Sequence, residues 1–176
     1  FLLGLLLLIN RSRRASLLGA LVKGVPRSVQ QRILAARVEG REGAVPEILF
    51  AAELYELAAA QFVTLSSFGR AAEAYEQAGK DGQAIQHYRR AGQHERAALV
   101  AERGQLWSVA AQEWQELKRS GHAAAAFAKA KRWSEAASLF AEVGKFEEAG
   151  QAYERFGERE LAAKMYLRTF EDARRI

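Results

Sequence analysis

A thirteen-residue pattern repeats nine times between Leu54 and Phe170 without one insertion or deletion, a regularity that marks a stack of small equivalent elements. Its clearest copy is Lys145 to Gly157 (KFEEAGQAYERFG), with Lys145 counted as position 1. Position 5 is alanine in every copy: Ala58, Ala71, Ala84, Ala97, Ala110, Ala123, Ala136, Ala149 and Ala162. Position 9 reads Phe62, Tyr75, Tyr88, Ala101, Trp114, Phe127, Phe140, Tyr153 and Tyr166, aromatic except at Ala101. Position 2 is weaker: Tyr55, Phe68, Asp81, His94, Trp107, Ser120, Trp133, Phe146 and Arg159.

Positions 2, 5, 9 and 12 follow one face of an α-helix, while 3, 4, 7, 10 and 11 are mostly polar, so each copy is an amphipathic helix. One continuous rod is excluded. At about 100° per residue, thirteen residues leave each copy roughly 220° out of phase with the last. The helix must therefore stop in every copy, near Gly79, Gly92, Gly104, Gly121, Lys131, Gly144 and Gly157, with glycine supplying most of the left-handed closures. Helices this short are marginal alone and need neighbours. Alanine at 5 and a small residue at 6 allow close approach, and the ring at 9 fills the remaining space.

Position 8 carries a slower rhythm. It is small and apolar at Ala74, Val100, Ala126 and Ala152, and polar at Gln61, His87 and Glu113. That predicts antiparallel pairs of 26 residues in which one helix is covered on both sides and the other faces water. Leu139 and Met165 break the rhythm.

The segments RAAEAYEQAGKDGQAIQHYRRAG and RWSEAASLFAEVGKFEEAGQAYERFG resemble tetratricopeptide-type helical repeats, especially the short-helix variants of coat and intraflagellar-transport solenoids. The resemblance covers Leu54 to Phe170 and implies an all-α, right-handed α-solenoid of short antiparallel helix pairs. It departs from the family in having 26 rather than 34 residues per pair and no proline closing a unit. The fold is implied by the motif; a function is not.

Four segments are expected: 1–25, a membrane-anchor end with a basic juxtamembrane stretch; 26–53, leading helices; 54–170, the repeats; and 171–176, a tail. Phe1 to Ile9 (FLLGLLLLI) is uniformly apolar and is followed by Arg11, Arg13 and Arg14. Nine helical residues span about 14 Å, short of the roughly 30 Å of hydrocarbon. With basic residues after the apolar run, the order matches a transmembrane helix, begun upstream of Phe1, leaving on the cytoplasmic side. A buried terminal helix is the alternative. Leu17 to Val25 is a second apolar patch that lies at the interface or docks under the first repeat. Pro26 opens a helix running to Gly40, residues 41–46 form a turn, and a single longer helix from Glu47 to Leu65 carries the first repeat; Ser66 and Ser67 cap the next.

Charge is unevenly divided. Residues 1–41 hold eight Lys or Arg against one Glu, net +7, whereas 42–176 hold eighteen basic against twenty acidic residues, net −2. The basic excess thus adjoins the apolar run, which suits anionic lipid headgroups and leaves the repeats without a footprint for nucleic acid. The absence of cysteine excludes disulfides and thiolate metal sites. Neither a phosphate loop nor a dinucleotide glycine pattern occurs, and His87, His94 and His122 are not arranged as metal ligands. Catalysis, cofactors and small-molecule substrates are therefore not expected; Trp107 and Trp133 read as packing residues.

The expected role is a single-pass, membrane-tethered scaffold that binds a partner protein on the cytoplasmic side; the alternative is an accessory subunit packed permanently on a larger membrane complex. The expected partner surface combines the pattern-breaking apolar residues Leu99, Val109, Leu161 and Leu167 with a polar rim of Gln61, His87, Arg89, Arg90 and Glu113.

Overall fold

A computed structural model describes residues 24–174. Among them every regular element is a helix and no strand occurs. The chain divides into two compact units, Phe1–Ala78 and Gly79–Ile176. The first contains α1 (Arg27–Val38), a 3₁₀ turn (Glu42–Ala44), α2 (Val45–Ala51), α3 (Tyr55–Thr64) and α4 (Phe68–Gln77). The second contains α5 (Asp81–Arg90), α6 (His94–Arg103), α7 (Trp107–Glu116), α8 (Ser120–Lys129), α9 (Trp133–Glu142), α10 (Phe146–Phe156) and α11 (Arg159–Ala173). Within each unit, consecutive helices pack on one another. Links of two or three residues oblige such neighbours to run antiparallel.

From α3 onward each helix begins at position 2, and α3 to α9 each last ten residues. Position 13 is left-handed in every copy that it closes: Glu53, Ser66, Gly79, Gly92, Gln105, Lys118, Lys131, Gly144 and Gly157 all have positive φ. The closure is a Schellman turn. At the end of α5, for example, the Gly92 amide donates to the Arg89 carbonyl at 3.0 Å, and the Gln93 amide donates to the Tyr88 carbonyl at 2.9 Å. The Gln93 carbonyl then accepts from Ala97 at 3.1 Å, opening α6. One residue thus ends one helix and starts the next.

The core follows the pattern. Every position-5 alanine is buried, as are the position-6 residues from Ala59 to Gly150, while the rings of Phe62, Tyr88, Trp114, Phe127 and Phe140 are buried at position 9. Where Ala101 interrupts the rings, Trp114 of the next helix reaches back and its indole N–H donates to the adjoining Glu102 at 2.8 Å. In the first unit, Val25, Val29, Ile33, Val45, Leu49 and Phe62 join the alanines in one cluster.

Several expectations are corrected. Glu47 to Leu65 is not one helix: it breaks at Glu53, whose φ is 59°. The break reveals a tenth copy upstream, with Val45 at position 5, Leu49 at position 9 and Gly40 left-handed before it. It was hidden because neither Val45 nor Leu49 matches the alanine and aromatic signature. Residues 41–46 are correspondingly not a plain turn, since Pro46 sits in the first turn of α2. Gly104 and Gly121 are not the left-handed closing residues. Gly104 has φ −78° and Gly121 lies inside α8, so Gln105 and Lys118 take the left-handed position instead. Ser66 is itself a left-handed residue, and Ser67 makes no side-chain cap bond.

The rhythm at position 8 persists beyond its apparent end. Leu139 and Met165 are half-buried like Gln61 and His87, whereas Ala74, Val100, Ala126 and Ala152 are buried. Its exception is Glu113, which is buried. The apolar run Phe1–Ile9 and Arg11, Arg13 and Arg14 lie outside the described residues, among which no helix is long and apolar enough to cross a membrane. Of the patch Leu17 to Val25, its last residue, Val25, is buried in the first unit's core.

Candidate functional site

Positions 2 and 11 meet at four pairs of neighbouring helices in the second unit, because antiparallel packing sets the start of one helix beside the end of the next. Arg103 pairs with Asp81 at 3.3 Å, Lys129 Nζ sits 4.4 Å from the Trp107 ring centroid, and the Arg155 guanidinium lies 4.8 Å over Trp133. Asp81, Trp107 and Trp133 start alternate helices and therefore share one edge of the second unit. That edge carries three cations at a spacing of 26 residues, two of them covering indole rings. On the opposite edge the same positions give Glu116, Glu142 and Arg168, the last 5.4 Å over Phe146. The expectation that Trp107 and Trp133 pack is met, since both are half-buried, but what covers them is cationic.

A cleft of about 410 Å³ opens on the cationic edge, lined among others by Leu106, Trp107, Val109, Lys129 and Lys131. Val109 is half-buried there, so its expected exposure is corrected. Leu161 is likewise half-buried, at the start of α11. Leu99 and Leu167 are exposed, at 54% and 58%, but lie on α6 and α11, so the four residues do not form one patch. Leu167 instead neighbours Tyr166 and Phe170 on the last helix, both exposed.

Glu113, expected on a solvated rim, is 3% exposed. Burial requires partners for both carboxylate oxygens. Arg89 Nε donates to Oε1 at 2.5 Å, with a terminal guanidinium nitrogen on the same oxygen, and His94 Nδ1 donates to Oε2 at 2.9 Å. Three consecutive helices, α5, α6 and α7, are tied together by this triad. A depression of about 460 Å³ lies over it, bordered also by Gln112, Gln115 and Glu116. Of the remaining rim residues, Gln61 and His87 are half-buried, and Arg90 is exposed. Desolvation, and secondly the neighbouring Arg90 charge, hold the His87 imidazole below the usual histidine range. Sequence spacing did not reveal the triad, because Arg89, His94 and Glu113 fall at different repeat positions.

Among the described residues no group of three or more His, Cys, Asp or Glu side chains is placed to hold a metal ion. The second unit thus holds cations over rings on one edge, and a buried ion triad ties α5, α6 and α7 together. The chain is an all-helical repeat protein in architecture. Comparison with protein-family profiles, with curated proteins and with solved structures finds no match to it.

Proposed function

We propose that this chain is a non-catalytic binding module, a tetratricopeptide-like repeat scaffold that holds an acidic partner protein along one edge of its second unit. The observation that supports this reading is the row of Arg103, Lys129 and Arg155 at recurring positions, in a region, residues 42–176, whose net charge is −2. A cationic row on a surface otherwise slightly acidic selects a partner by local charge rather than by bulk attraction. Packing alone does not demand cations there. Position 2 needs cover, and an apolar side chain at position 11 would supply it.

The membrane tether is part of the proposal and rests on the sequence of Phe1 to Arg14. The full chain, affinity-tagged and extracted in detergent, should retain a recurrent acidic protein. Arg103→Glu with Arg155→Glu should release it while helical content by circular dichroism is unchanged. Retention of the partner by that variant refutes the edge as its docking surface, and solubilisation by high salt alone refutes the tether.

A second reading, an accessory subunit packed permanently on a larger complex, is favoured by one observation: Phe156, Tyr166, Leu167 and Phe170, on the last two helices, each expose a large apolar side chain. An isolated chain that is monomeric and stable in solution would decide against it.

A further inference from the structure

We infer that the cleft at the turn ends of α7 and α8, floored by Leu106, Trp107 and Val109 and rimmed by Lys129 and Lys131, docks a short protein segment carrying an apolar side chain between carboxylates. This deepens the scaffold reading above and rests on it. The floor is apolar and partly open: Leu106 is 43% exposed, and Trp107 and Val109 are half-buried. An apolar side chain laid there would remove that surface from water. The rim is cationic and unopposed. No carboxylate lines the cleft, and among the described residues neither lysine is in an ion pair.

The second cation separates this site from its equivalents: position 13 is Lys131 here, against Gln105 beside Arg103 and Gly157 beside Arg155, which itself has no ion pair among the described residues. Arg103 is answered by Asp81, and Arg132, next to Lys131 in the chain, is answered by Glu135. Among the described residues Lys129 meets the face of Trp107, which attracts the ammonium without neutralising it. Two unanswered ammonium groups about an apolar floor are complementary to two carboxylates about an apolar side chain. The volume, about 410 Å³, suits a few side chains rather than a bilayer surface or a nucleic acid. Both of those also need a broad basic field, and the repeats, residues 54–170, are nearly neutral at net +1. A protein segment is the occupant that fits on all three counts.

The test titrates the full chain in detergent with the fluorescent peptide Glu-Asp-Glu-Leu-Phe-Glu-Asp-Glu, read by anisotropy. A control peptide replaces Leu-Phe by Ser-Ser. The parent peptide should bind, and the control should bind about tenfold more weakly because the floor is left unfilled. Lys129→Glu with Lys131→Glu should weaken the parent peptide by about tenfold or more, since like charges then face its carboxylates. Circular dichroism checks that the variant is folded. Equal binding of the two peptides, or unchanged binding by the variant, overturns the inference. So do two alternative results: a loss of phosphatidylserine-vesicle binding on charge reversal with no loss of peptide binding, which makes lipid the occupant, or a loss of self-association, which makes a second copy the occupant. If the peptide fails but Arg103→Glu with Arg155→Glu still releases the co-purified partner, this inference falls and the scaffold reading stands. If that variant keeps its partner, the scaffold reading falls first.

Discussion

Arg155 of α10 lies over the ring of Trp133 of α9, its guanidinium carbon 4.8 Å from the ring centroid, and Lys129 stands in the same relation to Trp107. The pairs join position 11 of one copy to position 2 of the copy before. Each sits at a surface edge, so the attraction should be modest. A double-mutant cycle using Trp133→Leu and Arg155→Ala should give a coupling of about 0.5–1 kcal/mol by chemical denaturation. Additive losses would show that the ring is merely covered by the arginine stem.

Glu113 carries the second prediction. It occupies position 8, where the equivalent residues of two later copies are Leu139 and Met165, so its charge is not required by the repeat. Removing the whole ionic arrangement should be tolerated better than breaking it. Glu113→Leu should leave stability unchanged or raised, whereas Arg89→Ala should cost about 3 kcal/mol by stranding a buried carboxylate on His94. Arg89 is half-exposed and can rehydrate when freed. The reverse ranking in urea melts would show that the triad stabilises rather than specifies.

The turns carry the third. Lys118 and Lys131 hold φ of 55° and 59°, where a Cβ is strained by about 1–2 kcal/mol. Lys118→Gly or Lys131→Gly should therefore raise the melting temperature, after glycine's own entropy cost of roughly 0.5–1 kcal/mol. Gly79→Ala should lower it. A Cβ at Gly79 meets no atom within 4 Å, so the loss there measures backbone strain without steric clash.

The alanines, the rings and the thirteen-residue register were legible because each recurs at a fixed spacing and each answers a local demand. Position 5 must be small wherever two helices touch, and position 13 must be left-handed wherever a helix closes. The second demand constrains the backbone more than the side chain. Gln105 and Lys118 meet it without being glycine, which is why Gly104 and Gly121 were misleading landmarks. The tenth copy escaped for a related reason: Val45 and Leu49 fill the same space as alanine and a ring by different shapes. What could not be read was anything joining unlike positions. Arg89, His94 and Glu113 converge only when three helices are stacked, and the cationic edge emerges only when alternate helices point the same way.

His87 provides a pH-dependent prediction. Its folded-state affinity for a proton is depressed, first by burial and then by Arg90. The unfolded chain therefore binds the proton more readily. The neutral form's contribution is whole above the unfolded value of about 6.5 and declines as pH falls through it toward the lower folded value. His87→Gln should remove that part of the pH dependence. Equal slopes of melting temperature against pH for both proteins between about pH 7 and 5 would exclude a role for His87.

The residue shared by each pair of helices, closing one with its amide and opening the next with its carbonyl, leaves no slack in the chain. A single inserted residue at such a link would separate the bond that closes one helix from the bond that opens the next, and so undo the turn that sets the packing of the two helices. Change in length is thereby confined to whole copies. Because the covered and half-covered helices alternate, adding one copy would invert that order for all that follow, and adding two would restore it. A repeat of this design should thus grow or shrink in natural variation by steps of 26 residues, with its turns nearly invariant in length while its surface side chains vary freely.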